Sequence, residues 1–61
     1  MPLITLKLVG EKTTEQKRAL IKDITEVTCK HLNVPPQAIM IDIVEYEKTN
    51  FGMGGVIFTD R

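Results

Sequence analysis

Two runs of alternating residues, 3–9 and 39–46, flank one stretch with helical spacing, and that order leaves few folds open. In the first run Ile4, Leu6 and Leu8 point one way, while Leu3, Thr5, Lys7 and Val9 point the other. A period of two is the pattern of a half-buried strand. In the second run Ile39, Ile41 and Ile43 share one face; Met40, Asp42, Val44 and Tyr46 share the other. Between them, Thr13-Thr14-Glu15-Gln16 offers a capping box, with Thr13 as cap and Gln16 reaching back. Leu20, Ile24, Val27 and His31 recur at helical spacing, flanked by Ile21, Thr28 and Leu32. This predicts an amphipathic helix of about five turns. Asn33 is a helix stop, and Pro35-Pro36 forbids continuation.

Strand, helix, strand is a β-α-β unit, with parallel strands and a right-handed crossover. Gly10-Glu11-Lys12 and Glu47-Lys48-Thr49-Asn50 read as loops. Phe51-Gly52-Met53-Gly54-Gly55 follows, then a short strand candidate at residues 56–59. The fold class is α/β (α+β). The 61 residues are expected to form one small domain, 1–61. One helix covers one face of the sheet. Parallel sheets are normally covered on both faces, so the second face must be buried by other copies of the chain.

Size points the same way. A domain of about 60 residues buries only about 60% of its unfolded surface and is marginal alone. One cysteine excludes an internal disulfide, and Cys29 with the lone His31 is too small a ligand set for structural zinc. Self-assembly is the remaining aid. Eight basic and eight acidic residues with no basic run argue against nucleic acid as a partner. The apolar runs are too short to span a membrane, and no targeting or lipidation motif is present. A free thiol fits the reducing cytoplasm.

Pro2 has two readings. Within the chain it begins a strand, where a missing donor costs little. If Met1 is removed, it carries a free secondary amine on a rigid ring and can act as a general base. An α-amino group has a reference pKa of about 7.7–8.0. Desolvation and a nearby cation such as Lys12 would lower it and favour a base at neutral pH. Other residues invite chemistry less. Cys29 lacks an obvious base, and a structural thiol is the simpler reading. His31 sits at the edge of the apolar stripe, where a structural role is favoured. The glycine cluster lacks G-x-G-x-x-G spacing and opens no helix, so it serves turns rather than a phosphate.

The chain resembles the 4-oxalocrotonate tautomerase family of the tautomerase superfamily over nearly its whole length. Four features carry the resemblance: Pro2 opening an alternating strand, Glu15-Gln16-Lys17 at the helix start, Pro35 after the helix, and Phe51-Gly52-Met53-Gly54-Gly55 after the second strand. The resemblance implies a β-α-β fold with a C-terminal hairpin, assembled as a homohexameric trimer of dimers. It also implies loss of the initiator methionine and cofactor-free tautomerisation of a 2-hydroxydienoate or α-keto acid.

Carried over residue by residue, the base is Pro2 and the pocket phenylalanine is Phe51. The family's loop arginine falls on Lys12 and its second-strand arginine on Met40. Lysine keeps the charge but loses the bidentate fork. Methionine keeps neither charge nor donor and is most simply an apolar wall. Met53 adds to the apolar side of the pocket. Glu11 adds a like charge to any carboxylate substrate. The expected substrate is therefore a small enol or α-keto acid with one carboxylate rather than two. A third use of the same amine is nucleophilic attack on a carbonyl or hydration of an unsaturated acid. The alternative is a non-catalytic or weakly active homo-oligomeric module of the same fold, motivated by Met40. In parallel strands Pro2 starts one edge, while Lys12 and Phe51 follow the other, about 20 Å away at about 3.3 Å per residue. The site is expected to be shared between chains.

Overall fold

The computed structural model describes residues Met1–Arg61. Strand β1, Leu3–Val9, leads through a loop into helix α1, Thr14–Leu32. Strand β2, Met40–Tyr46, pairs with β1 in parallel, with Leu3 opposite Met40 and Val9 opposite Tyr46. Two short strands, β3 at Gly52–Met53 and β4 at Val56–Ile57, form an antiparallel hairpin at the C-terminus. The α+β architecture matches the expectation from the strand-helix-strand order.

The helix starts where the capping box places it. The Thr13 hydroxyl accepts from the Gln16 amide at 3.1 Å, and the Gln16 side chain accepts from the Thr13 amide at 3.0 Å. Two otherwise orphaned donors are thereby satisfied. The helix ends at Asn33, whose φ of 56° places it in the left-handed region and whose N–H donates to the Cys29 carbonyl. Half-buried helix positions are Lys17, Ile24, Thr25, Thr28 and Cys29. The inward face is thus rotated from the expected stripe: Val27 and His31 are exposed.

Three local differences from the sequence reading have backbone causes. Pro36–Ala38 forms a 3-10 turn, because Pro36 presets φ and the Ile39 N–H closes on the Pro36 carbonyl. Strand β2 therefore begins at Met40 rather than Ile39. The polar loop after β2 contains a second such turn at Lys48–Asn50. The final strand candidate shortens to Val56–Ile57, and Phe58–Asp60 turns away as a third.

On the helix-facing side of the sheet Ile4, Leu6, Leu8, Ile41 and Ile43 are half-buried. On the other side Leu3, Met40 and Val44 are exposed, with Lys7 and a Thr5–Asp42 hydrogen bond of 2.7 Å between them. No residue is fully buried. The chain exposes 4903 Å², against about 4,000 Å² expected for a folded monomer of this mass. Its radius of gyration is 14.8 Å, against about 10.5 Å for a compact chain of this length. A single copy has the secondary structure of a fold without a closed core.

Candidate functional site

The parallel register separates the candidate residues into two groups. Pro2 and Met40 lie at the starting end of the sheet. The Met40 amide donates to the Pro2 carbonyl at 3.0 Å, which extends the ladder by one bond past Leu3. Pro2 is half-buried, and its nitrogen is bonded to Met1, whose side chain is exposed. A free amine at this position requires removal of Met1. The Met40 side chain lies on the open face and is half exposed, with no charge to offer.

Lys12 and Phe51 lie at the finishing end. Gly10 turns the chain there with φ of 91°, and its N–H donates to the Tyr46 carbonyl at 2.8 Å. A side chain at this φ is strained, so glycine suits the position. The turn brings the Lys12 loop beside the end of β2, where the Lys12 amide donates to a Glu45 carboxylate oxygen at 3.0 Å. The other Glu45 oxygen accepts from the Lys17 ammonium of α1. The Lys17 hydrogen bond first, and the Lys12 N–H second, hold the Glu45 carboxyl below its ordinary pKa. The loop is thus tied to both the helix and the sheet through one carboxylate.

An open cleft of about 830 Å³ occupies this end. Glu11, Lys12, Tyr46 and Lys48 are among its walls. A second cavity of about 340 Å³ is lined by Lys7, Val9, Tyr46, Asn50 and Phe51. The two share Val9 and Tyr46, so Lys12 and Phe51 flank adjoining spaces. Phe51 is set by the C-terminal hairpin. Its carbonyl accepts from the Phe58 amide at 2.7 Å, and the two rings meet edge to face with centroids 5.7 Å apart. Met53 is exposed on β3.

Within one chain the candidate base and the candidate cation are therefore apart. Seven strand residues at about 3.3 Å each separate the two ends by about 20 Å. Lys48 also lines the cleft, although its sequence context reads only as a polar loop. The one sequence cue is its place immediately after the second strand, opposite the Gly10 loop. No cluster of three or more His, Cys, Asp or Glu residues is arranged to hold a metal ion. No helix is long and apolar enough to cross a membrane.

A family model described as "Tautomerase enzyme" matches residues 2–61. A probable tautomerase of Listeria monocytogenes serotype 4b (strain F2365) is 38% identical over 60 residues, 98% of each chain. The 2-hydroxymuconate tautomerase of Pseudomonas sp. (strain CF600) is 34% identical over 55 residues, 90% of this chain and 87% of that one. Among solved structures, one from work on the 4-oxalocrotonate tautomerase isozymes of Methylibium petroleiphilum superposes with a TM-score of 0.91 at 33% identity, covering 98% of this chain and 94% of that one.

Proposed function

The chain belongs to the tautomerase family, and we propose that it is a cofactor-independent isomerase whose base is the amine of Pro2 after Met1 is removed. Family membership supports the reaction class. The observation that carries the residue assignment is the bond from the Met40 amide to the Pro2 carbonyl. It fixes the carbonyl side of Pro2 in the sheet and leaves its nitrogen at the strand end. A ring amine held this way has little freedom to lose before proton transfer.

In the proposed reaction Pro2 takes a proton from an enol hydroxyl or an α-carbon and returns it to another carbon, acting as base and then acid. Such positioned acid–base groups contribute roughly 10²–10⁴-fold. Lys12 binds a substrate carboxylate. Phe51 and Met53 supply apolar walls, and Met40 lines the pocket near Pro2 without a charge. The substrate class is a small 2-hydroxydienoate or α-keto acid, with one carboxylate favoured over two.

The site is completed by self-association. The absence of any fully buried residue and the exposed apolar sheet face support this reading. Antiparallel pairing of subunits would set the start of one strand against the end of its neighbour's and close the separation between Pro2 and Lys12. A homohexamer is the proposed assembly, and a single domain the proposed organisation.

Intact mass and ultraviolet absorbance test the reading together. Material lacking Met1 should convert enol to keto, and Pro2→Ala should lose most of that rate. Equal rates for the two proteins would remove Pro2 as the base. A second reading, a non-catalytic assembly of the same fold, is favoured by Met40 at the expected cation position. It is the outcome if processed wild type converts none of a panel of mono- and dicarboxylate enols.

A further inference from the structure

The cleft at the finishing end of the sheet contains a second lysine that the proposed reaction does not use. Lys48 begins the turn after β2, and its aliphatic stem lies across Gly10: a Cβ there would stand 3.6 Å from Lys48 Cε. The Gly10 turn also carries Lys12 into the same cleft. Lys12 and Lys48 thus line one open cleft.

Neither ammonium is paired within the chain. The one ion pair is Lys17–Glu45, which occupies the carboxylate nearest the Lys12 loop. The remaining acidic groups of the cleft are Glu11 and Glu47. Neither lies within ion-pairing distance of Lys12 or Lys48. Two unpaired cations in one cleft favour a single anion between them. Two unpaired carboxylates beside them oppose a second negative charge on the same ligand.

Resting on the tautomerase reading, we propose that Lys12 and Lys48 together clamp one substrate carboxylate, while Glu11 and Glu47 beside them disfavour a second. Each ammonium donates to one carboxylate oxygen. The pair replaces the fork geometry that a single lysine lacks. Lys48 is a substrate-binding residue on this account; it takes no part in proton transfer.

Binding of unreactive ligands tests this separately from catalysis. Hexanoate, adipate and hexanamide would be titrated into the full chain at low salt, following the amide signals of Gly10 and Lys12 by NMR. Hexanoate should bind more tightly than adipate or hexanamide. Lys48→Gln should weaken hexanoate by about three- to fivefold, in the range of an exposed ion pair. Lys48→Arg should retain most of the affinity, and hexanamide should be indifferent to both changes. Unchanged hexanoate binding in Lys48→Gln, no hexanoate binding in wild type, or a preference for adipate would each overturn the proposal. Failure of the tautomerase reading would appear in the rate assay and leave these affinities in place.

Discussion

The Met40 amide donates to the Pro2 carbonyl at 3.0 Å, so the candidate base and the uncharged strand residue are neighbours across the ladder. Both strands begin at this edge, and β2 has Met40 as its first residue. Whatever part of a substrate lies near Pro2 in this chain meets a thioether. The cations lie at the other edge, on the Lys12 loop and the Lys48 turn. Within one chain the cations and Pro2 thus lie at opposite ends of the strands. On the proposed reading, assembly then serves the chemistry as well as the stability.

Introducing a charge on the open sheet face should therefore dissociate the protein. Val44 lies on that face, in register with Lys7 and beside Met40 and Asp42 along β2. Val44→Asp should shift the sedimenting species to smaller assemblies and make Tm fall with dilution, since association stabilises by mass action. It should also lower activity, as the proposal of a site shared between chains requires. A wild-type sedimentation profile for Val44→Asp would remove this face from the interface.

The cap at the helix start follows directly on the Lys12 loop. Thr13→Ala removes the hydroxyl that accepts the Gln16 amide. The expected cost is about 1 kcal/mol, or about 4–8 °C in Tm for a chain of this size. Thermal unfolding measured at matched protein concentration checks it. Thr13→Ser should retain most of the stability, since serine caps equally well.

The long elements could be read from residue periodicity, because strand and helix periods each repeat several times over seven and nineteen residues. Thr13 and Gln16 marked the helix start, and Asn33 its end, through chemistry local to those positions. The rotated helix face was less accessible. Thr25, Thr28 and Cys29 are half-buried although threonine is a weak apolar signal, whereas Val27 stays outside. The three 3-10 turns leave no period to detect. Pro2 and Phe51 stood out by their place in the chain. Lys48 did not, because its relation to Lys12 depends on the positive φ of Gly10 and on the parallel register, neither of which shows as spacing.

Glu45 predicts the acid limb of stability. Its folded pKa is lowered by the Lys17 hydrogen bond and the Lys12 N–H. A carboxylate with a depressed folded pKa contributes fully above its unfolded value, about 4.3 for glutamate, and loses that contribution as pH falls through the lower folded value. Wild type should exceed Glu45→Gln in stability by a constant margin above about pH 5.5, narrowing as pH drops below about 4. Denaturant unfolding at several pH values checks this. A margin that persisted unchanged to pH 2 would show that Glu45 acts by packing instead of charge. The group is exposed, so added salt should shrink the margin.

Restoring a fork-shaped cation beside Pro2 is the sharpest test of how this chain differs from its family's expected pattern. Met40→Arg puts a guanidinium on the open face at the strand start, adjacent in the ladder to Leu3 and one bond from Pro2. The backbone bond to Pro2 uses the residue-40 amide, so it survives the change. A guanidinium can bind a carboxylate or carbonyl oxygen with two parallel bonds, which lysine at position 12 cannot do. For a dicarboxylate enol, kcat/KM should rise by about tenfold or more, in line with roughly 1.5–3 kcal/mol for hydrogen bonds to charged groups. For a monocarboxylate enol the gain should be smaller and should appear in kcat, through stabilisation of the developing oxyanion. Met40→Lys should recover less of the dicarboxylate gain, because charge without the fork is less directional. If Met40→Arg leaves both substrates unchanged while the assembly sediments as wild type, position 40 does not face the reacting group in this protein.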